Sequence, residues 1–263
     1  MTGDSGIATL REWMKTVVCL PTKNEALSIA RMIRAVRAVG LDLFVIDEHS
    51  TDETAAIAAS LGVAVHQRDG SGKGWAVRKA LEVARQRGDE VLVLIDCDCT
   101  YAPDDIPRLL QAMEGCETAI GYRPMRAIAW SHRVVNHVHT GAINLLFDSH
   151  LHDINSGLRA LRVRAYAGLL TATGFDIEAQ MTSTALRRRW RVAEVPISYC
   201  RRVGRSKIRA WDTLRILRRI VRERFRKPGV AFSVLDRSDT TSVSHVPETP
   251  HVHLSFDPAQ GKS

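Results

Sequence analysis

Three polar clusters stand where apolar runs of the chain stop, and their residue types suit a dication and a phosphate. Asp96-Cys97-Asp98 follows the run Val91 to Ile95. Asp47-Glu48 follows Leu43 to Ile46, and Pro21-Thr22-Lys23-Asn24-Glu25 follows Thr16 to Leu20. Two carboxylates one residue apart, just past a strand, can both turn toward one hard cation. Mg²⁺ or Mn²⁺ takes only one or two protein carboxylates when phosphate oxygens and water complete its shell. A metal at Asp96 and Asp98 would neutralise a diphosphate and stabilise it as a leaving group. The alternative for an isolated Asp-x-Asp pair is a solvated turn; its place after a buried run and before Pro103-Asp104-Asp105 favours the metal.

The segment Asp69-Gly70-Ser71-Gly72-Lys73-Gly74 is not a Walker A loop, because Gly74 and not Ser or Thr follows Lys73. Nor does it follow the first strand, as a dinucleotide fingerprint would. It reads as a turn ahead of a helix, with Lys73 and Arg78 available to phosphate oxygens, or as a plain turn with exposed cations. His132, His137, His139, His150 and His152 match no standard zinc spacing and read as helix-surface residues. Cys97 and Cys99 read as small apolar strand-end residues.

The elements that must hold these groups alternate. Runs at 16–20, 43–46, 63–65 and 91–95 read as buried strands. Between them, Ile29, Ile33 and Val36 recur at helical spacing up to Gly40, Ser50 to Glu53 spells a capping box, and a helix is predicted from Trp75 to about Arg87. This is the pattern of βαβ units, and in such sheets ligands bind beyond the carboxyl ends of the strands. All three polar clusters fall at that edge. Farther on come a short strand at 118–120, a helix from Ser131 to Phe147, a polar turn from Asp153 to Gly157, a helix from Ile177 to Arg189 and a strand from Arg191 to Tyr199. The expected organisation is an N-terminal extension (1–13), one α/β domain (14–207), an amphipathic basic helix (208–227) and a polar, disordered tail (228–263).

With 45% hydrophobic and 25% charged residues in 263, the chain can build one large core and is not disordered throughout. Its net charge of +8 suits an anionic partner: nucleotide phosphates, lipid phosphates, an acidic membrane face or nucleic acid. Nucleic acid is set aside, because the acidic strand-end cluster would repel it. Five scattered cysteines point to a reduced compartment, no apolar stretch reaches the ~18 residues of a membrane span, and residues 1–11 do not read as a secretory signal. A cytoplasmic location is expected. In the basic helix, Trp211, Leu214, Leu217, Val221 and Phe225 share one face amid arginines, so it either lies on an anionic bilayer, with the protein peripheral on the cytosolic membrane face, or packs on the domain.

Taken in order, Val18 to Glu25, Ile46 to Asp52, Gly72-Lys73-Gly74 and Asp96-Cys97-Asp98 resemble family 2 glycosyltransferases. Gly121-Tyr122-Arg123, Asp153 to Ala160, Glu194 to Ile197 and Arg202 to Lys207 resemble the dolichyl-phosphate mannose synthase, or polyprenyl-phosphate, branch. The resemblance spans about residues 16–207. It implies a GT-A (Rossmann-like), mostly parallel sheet with helices on both faces, and an inverting transfer from a UDP- or GDP-sugar to a polyprenyl or dolichyl phosphate. By the same resemblance Pro21, Thr22, Glu25 and Asp47 hold base and ribose, and Lys73 lies in the nucleotide pocket. Asp96 and Asp98 address the metal. Arg123, Arg133, Arg202 and Lys207 face donor diphosphate or acceptor phosphate, and Asp153 lies near the reacting sugar. The family's Asp-Asp-Gly-Ser is Asp47-Glu48-His49-Ser50 here, and Cys99 stands where relatives often carry a polar residue. An ionised lipid phosphate needs no strong base; a hydroxyl acceptor would call on Asp153 or Asp176. The alternatives are such a soluble, hydroxyl-directed transferase and a non-catalytic nucleotide-sugar binding protein.

Overall fold

The computed structural model describes residues 14–128, 130–200 and 210–226. The N-terminal extension, Arg202, Lys207, the start of the basic helix and the tail lie outside them.

Among the described residues, seven strands form one sheet: β1 (Thr16–Thr22), β2 (Asp42–Asp47), β3 (Ala64–Gln67), β4 (Val91–Leu94), β5 (Thr118–Tyr122), β6 (Arg159–Arg162) and β7 (Val192–Pro196). Their order is β3-β2-β1-β4-β6-β5-β7. Pairs β2–β3, β1–β2, β1–β4 and β5–β7 are parallel, and β6 runs antiparallel to β4 and β5. The helices are α1 (Ile29–Ala38), α2 (Thr54–Ser60), α3 (Lys73–Gln86), α4 (Ile106–Gln111), α5 (Trp130–Phe147), α6 (Val163–Tyr166), α7 (Ile177–Arg187) and α8 (Ala210–Arg224).

Strand alternation sorts side chains onto the two faces. Val18 and Leu20 of β1 join Leu43, Val45, Val91 and Val93 under α1, whose Ile29, Met32, Ile33 and Val36 complete that layer. Val17, Cys19, Phe44, Ile46, Leu92 and Leu94 face the other way, against Ala76, Val77, Ala80 and Leu81 of α3. Both faces of the central strands are thus buried, which is why they read as unbroken apolar runs. A third cluster joins α5 (Ile143), α7 (Ala179) and α8 (Ile216, Ile220). The mostly parallel α/β sheet is as expected. The short β6 and α6 have no counterpart in the sequence reading.

The capping box is corrected. Ser50 Oγ donates to Asp47 Oδ1 (2.6 Å) instead of capping α2, Glu53 makes no side-chain cap, and Asp52 Oδ1 accepts the Thr54 N–H (3.1 Å). The acceptor side of the Ser50 hydroxyl is taken by the Asn24 N–H (2.9 Å), and α2 begins only at Thr54, so Ser50 is not its N-cap.

Candidate active site

The carboxyl ends of β1 and β4 and the segments beyond them open into one cavity of about 1030 Å³. Pro21, Thr22 and Glu25 line it from the end of β1, Asp96 and Asp98 from beyond β4, and Lys73 from the start of α3. Arg123 enters after β5. The far wall is α5, through His132, Asn136 and His139, and α8, through Asp212, Thr213 and Arg215. Among the described residues, six carboxylates line the space (Glu25, Glu48, Asp96, Asp98, Glu178, Asp212) with four fixed cations (Lys23, Lys73, Arg123, Arg215).

The Asp96–Asp98 turn is shaped by its neighbours. Asp98 is almost fully buried, and its Oδ1 accepts both the Thr100 N–H (3.0 Å) and the Thr100 hydroxyl (2.5 Å). Asp96 lies against Gly157, where an added Cβ would collide with the carboxylate, so only glycine lets it sit there. The Gly157 N–H donates to Tyr101 Oη (2.8 Å), tying the 153–157 turn to the segment after β4. Behind it the buried Arg159 guanidinium donates to the carbonyls of Ser156 (2.9 Å) and Ile154 and to Thr182 Oγ1 (2.9 Å).

The Gly-Lys-Gly segment has a tertiary explanation. A Cβ at Gly72, whose φ is +108°, would strike the Thr173 carbonyl, and one at Gly74 would strike that of Ala172. Gly74 N–H also donates to Thr173 O (3.1 Å). The two glycines let the start of α3 press against 172–174, which delivers Lys73 into the cavity. There its ammonium lies 2.6 Å from Asp96 Oδ1 and 2.6 Å from Glu178 Oε1. Burial works against that charge, but the two carboxylates outweigh it and hold Lys73 above the ordinary lysine range.

Four expectations change. Asp153 does not line the cavity. It is fully buried beneath Arg123, whose Nε and Nη2 meet its two oxygens at 2.6 and 2.9 Å; the Arg123 and Asn155 N–H groups also donate to it. It orients the arginine, which lies over the Tyr199 ring, and does not reach a sugar in the cavity. Asp176 is likewise buried, between Arg215 (3.0 Å) and Arg219 (2.7 Å) of α8, so neither carboxylate is placed as a general base. Asp47 sits behind the cavity wall, its oxygens taken by Ser50, Gln67 and Thr22, while Glu48 beside it lines the cavity and pairs with Arg68 (2.8 Å). Arg133 is not part of the lining either; its Nη2 donates to Ile128 O (3.1 Å).

Sequence reasoning missed Glu178, in the first turn of α7, and the cluster His139, Asn155 and Asn136. Asn155 Nδ2 donates to Asn136 Oδ1 (2.8 Å) and lies 3.1 Å from His139 Nδ1. Asn136 Nδ2 is buried without a partner, a donor left for something in the cavity. His139 is buried, not a surface residue. The apolar spacing of α5 marks a helix, but nothing in it says which polar residues turn inward.

Comparisons with known proteins agree with this architecture. Residues 17–170 match the glycosyl transferase family 2 model. The chain is 29% identical over 221 residues to the polyprenol monophosphomannose synthase of Mycolicibacterium smegmatis, covering 76% of this chain and 83% of that protein. It is 28% identical over 214 residues to the undecaprenyl-phosphate mannosyltransferase of Micrococcus luteus, covering 74% and 88%. In fold it is similar to the glucosyl-3-phosphoglycerate synthase of Mycobacterium tuberculosis, solved with uridine diphosphate: TM-score 0.69, 20% identity, 85% of this chain and 84% of that one. That synthase has also been solved with Mn²⁺ and with Mg²⁺. Sequence match, sheet order and cavity converge: the chain belongs to glycosyl transferase family 2 and is a glycosyltransferase of the GT-A fold.

Proposed function

We propose that this protein moves a sugar from a nucleoside diphosphate-sugar, UDP- or GDP-linked, to a polyprenyl phosphate, inverting the anomeric carbon, with Mg²⁺ or Mn²⁺ at Asp96 and Asp98. The observation that carries the reading is the meeting of these carboxylates with Lys73 and Arg123 in one cavity. The donor set fits a hard dication: the Asp96 and Asp98 side chains offer only oxygen. Among the described residues no group of three His, Cys, Asp or Glu could hold a metal, so phosphate and water would complete the shell. When bound, the dication would offset charge on the departing diphosphate. Thr22, Pro21 and Glu25 would border the nucleoside, with Asp47 supporting them from behind. Arg123, fixed by Asp153, would hold the acceptor phosphate for in-line approach. Arg133, Arg202 and Lys207 stay candidates for further phosphate contacts.

The acceptor choice follows from the bases. Asp153 and Asp176 are both clamped by arginines, and a phosphate acceptor is already ionised and needs neither. The names of the M. smegmatis and M. luteus relatives support the same choice. The assay supplies radiolabelled UDP- and GDP-sugars, Mn²⁺ or Mg²⁺ and polyprenyl phosphate. Label extracted into organic solvent is the expected result; label only in water-soluble products would overturn it in favour of a hydroxyl acceptor.

The protein would work at an anionic membrane surface, on its cytosolic face. No helix among the described residues is long and apolar enough to cross a bilayer. Of the nine exposed large hydrophobics among the described residues, seven lie on α5 and α8, the helices walling the cavity, and Phe225 directly follows α8. Trp130, Val134 and Val138 form one stripe, and Trp211, Leu214, Val221 and Phe225 the other. α8 packs on the domain through Ile216, Ile220 and, in part, Leu217, leaving Trp211, Leu214 and Val221 of the face that the sequence singled out exposed, with Phe225 just past the helix. Arg218 and Arg222 beside it make no ion pair or hydrogen bond among the described residues, and with Trp211 and Leu214 they line a second, shallow cavity suited to lipid phosphates. Co-sedimentation with phosphatidylglycerol vesicles at low salt should fall when Trp130 and Trp211 are changed to serine. Failure of the unaltered protein to co-sediment would remove the membrane role.

A further inference from the structure

Lys73 holds a position that a phosphate-binding lysine has no need to hold. Its ammonium is 2.6 Å from Asp96 Oδ1, so it engages one of the two carboxylates assigned to the dication. A second carboxylate, Glu178 Oε1, contacts the same ammonium at 2.6 Å from α7. All three side chains line the cavity, and Lys73 and Glu178 are nearly buried, at 14% and 8% side-chain exposure. A buried cation is lost from a pair only if another partner waits for it. Glu178 is that partner.

We infer that Lys73 is an internal stand-in for the dication, and that Glu178 is the positioning residue which takes the ammonium over when Asp96 turns to the metal. In the empty site Lys73 neutralises Asp96. When a dication reaches Asp96 and Asp98, Lys73 keeps its contact with Glu178 and its remaining donors face the cavity, where a diphosphate would lie. An ammonium has three donors, enough to keep Glu178 and reach a phosphate oxygen together. The exchange couples the two ligands: metal frees the lysine, and the lysine then serves the nucleotide. This rests on the reading of Asp96 and Asp98 as the metal carboxylates.

The coupling gives opposite signs for two ligands at one residue. In Lys73→Met a competing cation is gone, so Mn²⁺ titrated alone, with free ion read by electron paramagnetic resonance, should bind at least about tenfold tighter. UDP or GDP titrated in saturating Mn²⁺ should bind about tenfold weaker in the same variant, having lost an ammonium. In Glu178→Gln the lysine has only Asp96 left, so Mn²⁺ alone should bind more weakly than to the unaltered protein. Most of that loss should vanish in the double variant Lys73→Met/Glu178→Gln, because Glu178 acts through the lysine. Melting curves and circular dichroism accompany each variant, and Glu178→Asp should restore Mn²⁺ affinity in part. A lysine with a merely structural role would weaken both ligands in Lys73→Met, which would overturn the inference. So would an undiminished effect of Glu178→Gln in the Lys73→Met background, the mark of Glu178 as a direct ligand. If the unaltered protein binds no Mn²⁺ with or without nucleotide, the metal reading itself falls and takes this inference with it.

Discussion

Removing Asp153 separates a positioning carboxylate from a catalytic one. Its pair with Arg123 is almost wholly inside: 0% and 11% side-chain exposure, with two contacts of 2.6 and 2.9 Å. Taking one partner from a buried pair leaves an uncompensated charge and costs about 3–5 kcal/mol. At roughly 2–4 °C per kcal/mol for a domain of this size, Asp153→Ala should melt about 6–20 °C below the unaltered protein. Replacing both partners by apolar groups, as in Arg123→Met/Asp153→Leu, should recover most of that loss and still leave the enzyme inactive, because the guanidinium is absent. In steady-state kinetics Asp153→Asn should raise KM for the acceptor phosphate, and Arg123→Lys should raise it too. Their double variant should be far from additive, since both changes act through one group. The reasoning fails if Asp153→Asn lowers kcat at unchanged KM, abolishes the acidic limb of the pH–rate profile and adds in full to Arg123→Lys. That pattern would make Asp153 a proton acceptor at the reacting oxygen.

Other consequences can be tested alongside. Gly157→Ala should push Asp96 aside, and Mn²⁺ affinity and turnover should each fall about tenfold or more; isothermal titration showing normal Mn²⁺ binding would refute the close approach. Asp98→Ala should abolish turnover with an unchanged circular dichroism spectrum, and unimpaired turnover would remove the metal assignment. Burial holds His139 below its ordinary value of 6.5, and burial with Lys79 and Arg87 does the same for His66. The unfolded chain therefore takes up protons that the fold refuses. Stability from these groups is complete above pH 6.5 and declines as pH falls through that value. His139→Gln should flatten the decline in urea titrations between pH 7 and about 5; an unchanged slope would mean that the ring is protonated in place.

Much of the site was legible because it is local. A strand buried on both faces shows as a continuous apolar run, and the polar residues after it must lie at the sheet's edge. Asp96, Asp98, Pro21, Thr22 and Glu25 were found in this way, and they line the cavity. Lys73 was found as a cation in a turn, but its partners were hidden, because Glu178 is 105 positions away and is delivered by α7. The capping box failed for the same reason: the Ser50 oxygen is taken by the N–H of Asn24, 26 positions away, and α2 starts only at Thr54.

The order of apolar runs, the turns at their ends and the charge types there follow from sequence, because periodicity and burial are set by neighbours along the chain. Whether a carboxylate touches the cavity or sits one layer behind it depends on which distant guanidinium arrives beside it. Asp153 and Asp176 look in sequence like Asp96 and Asp98, yet Arg123, Arg215 and Arg219 claim the first two and leave the second two lining the cavity. That division between buried ion pair and cavity wall is made by long-range packing, and only the tertiary structure contains it.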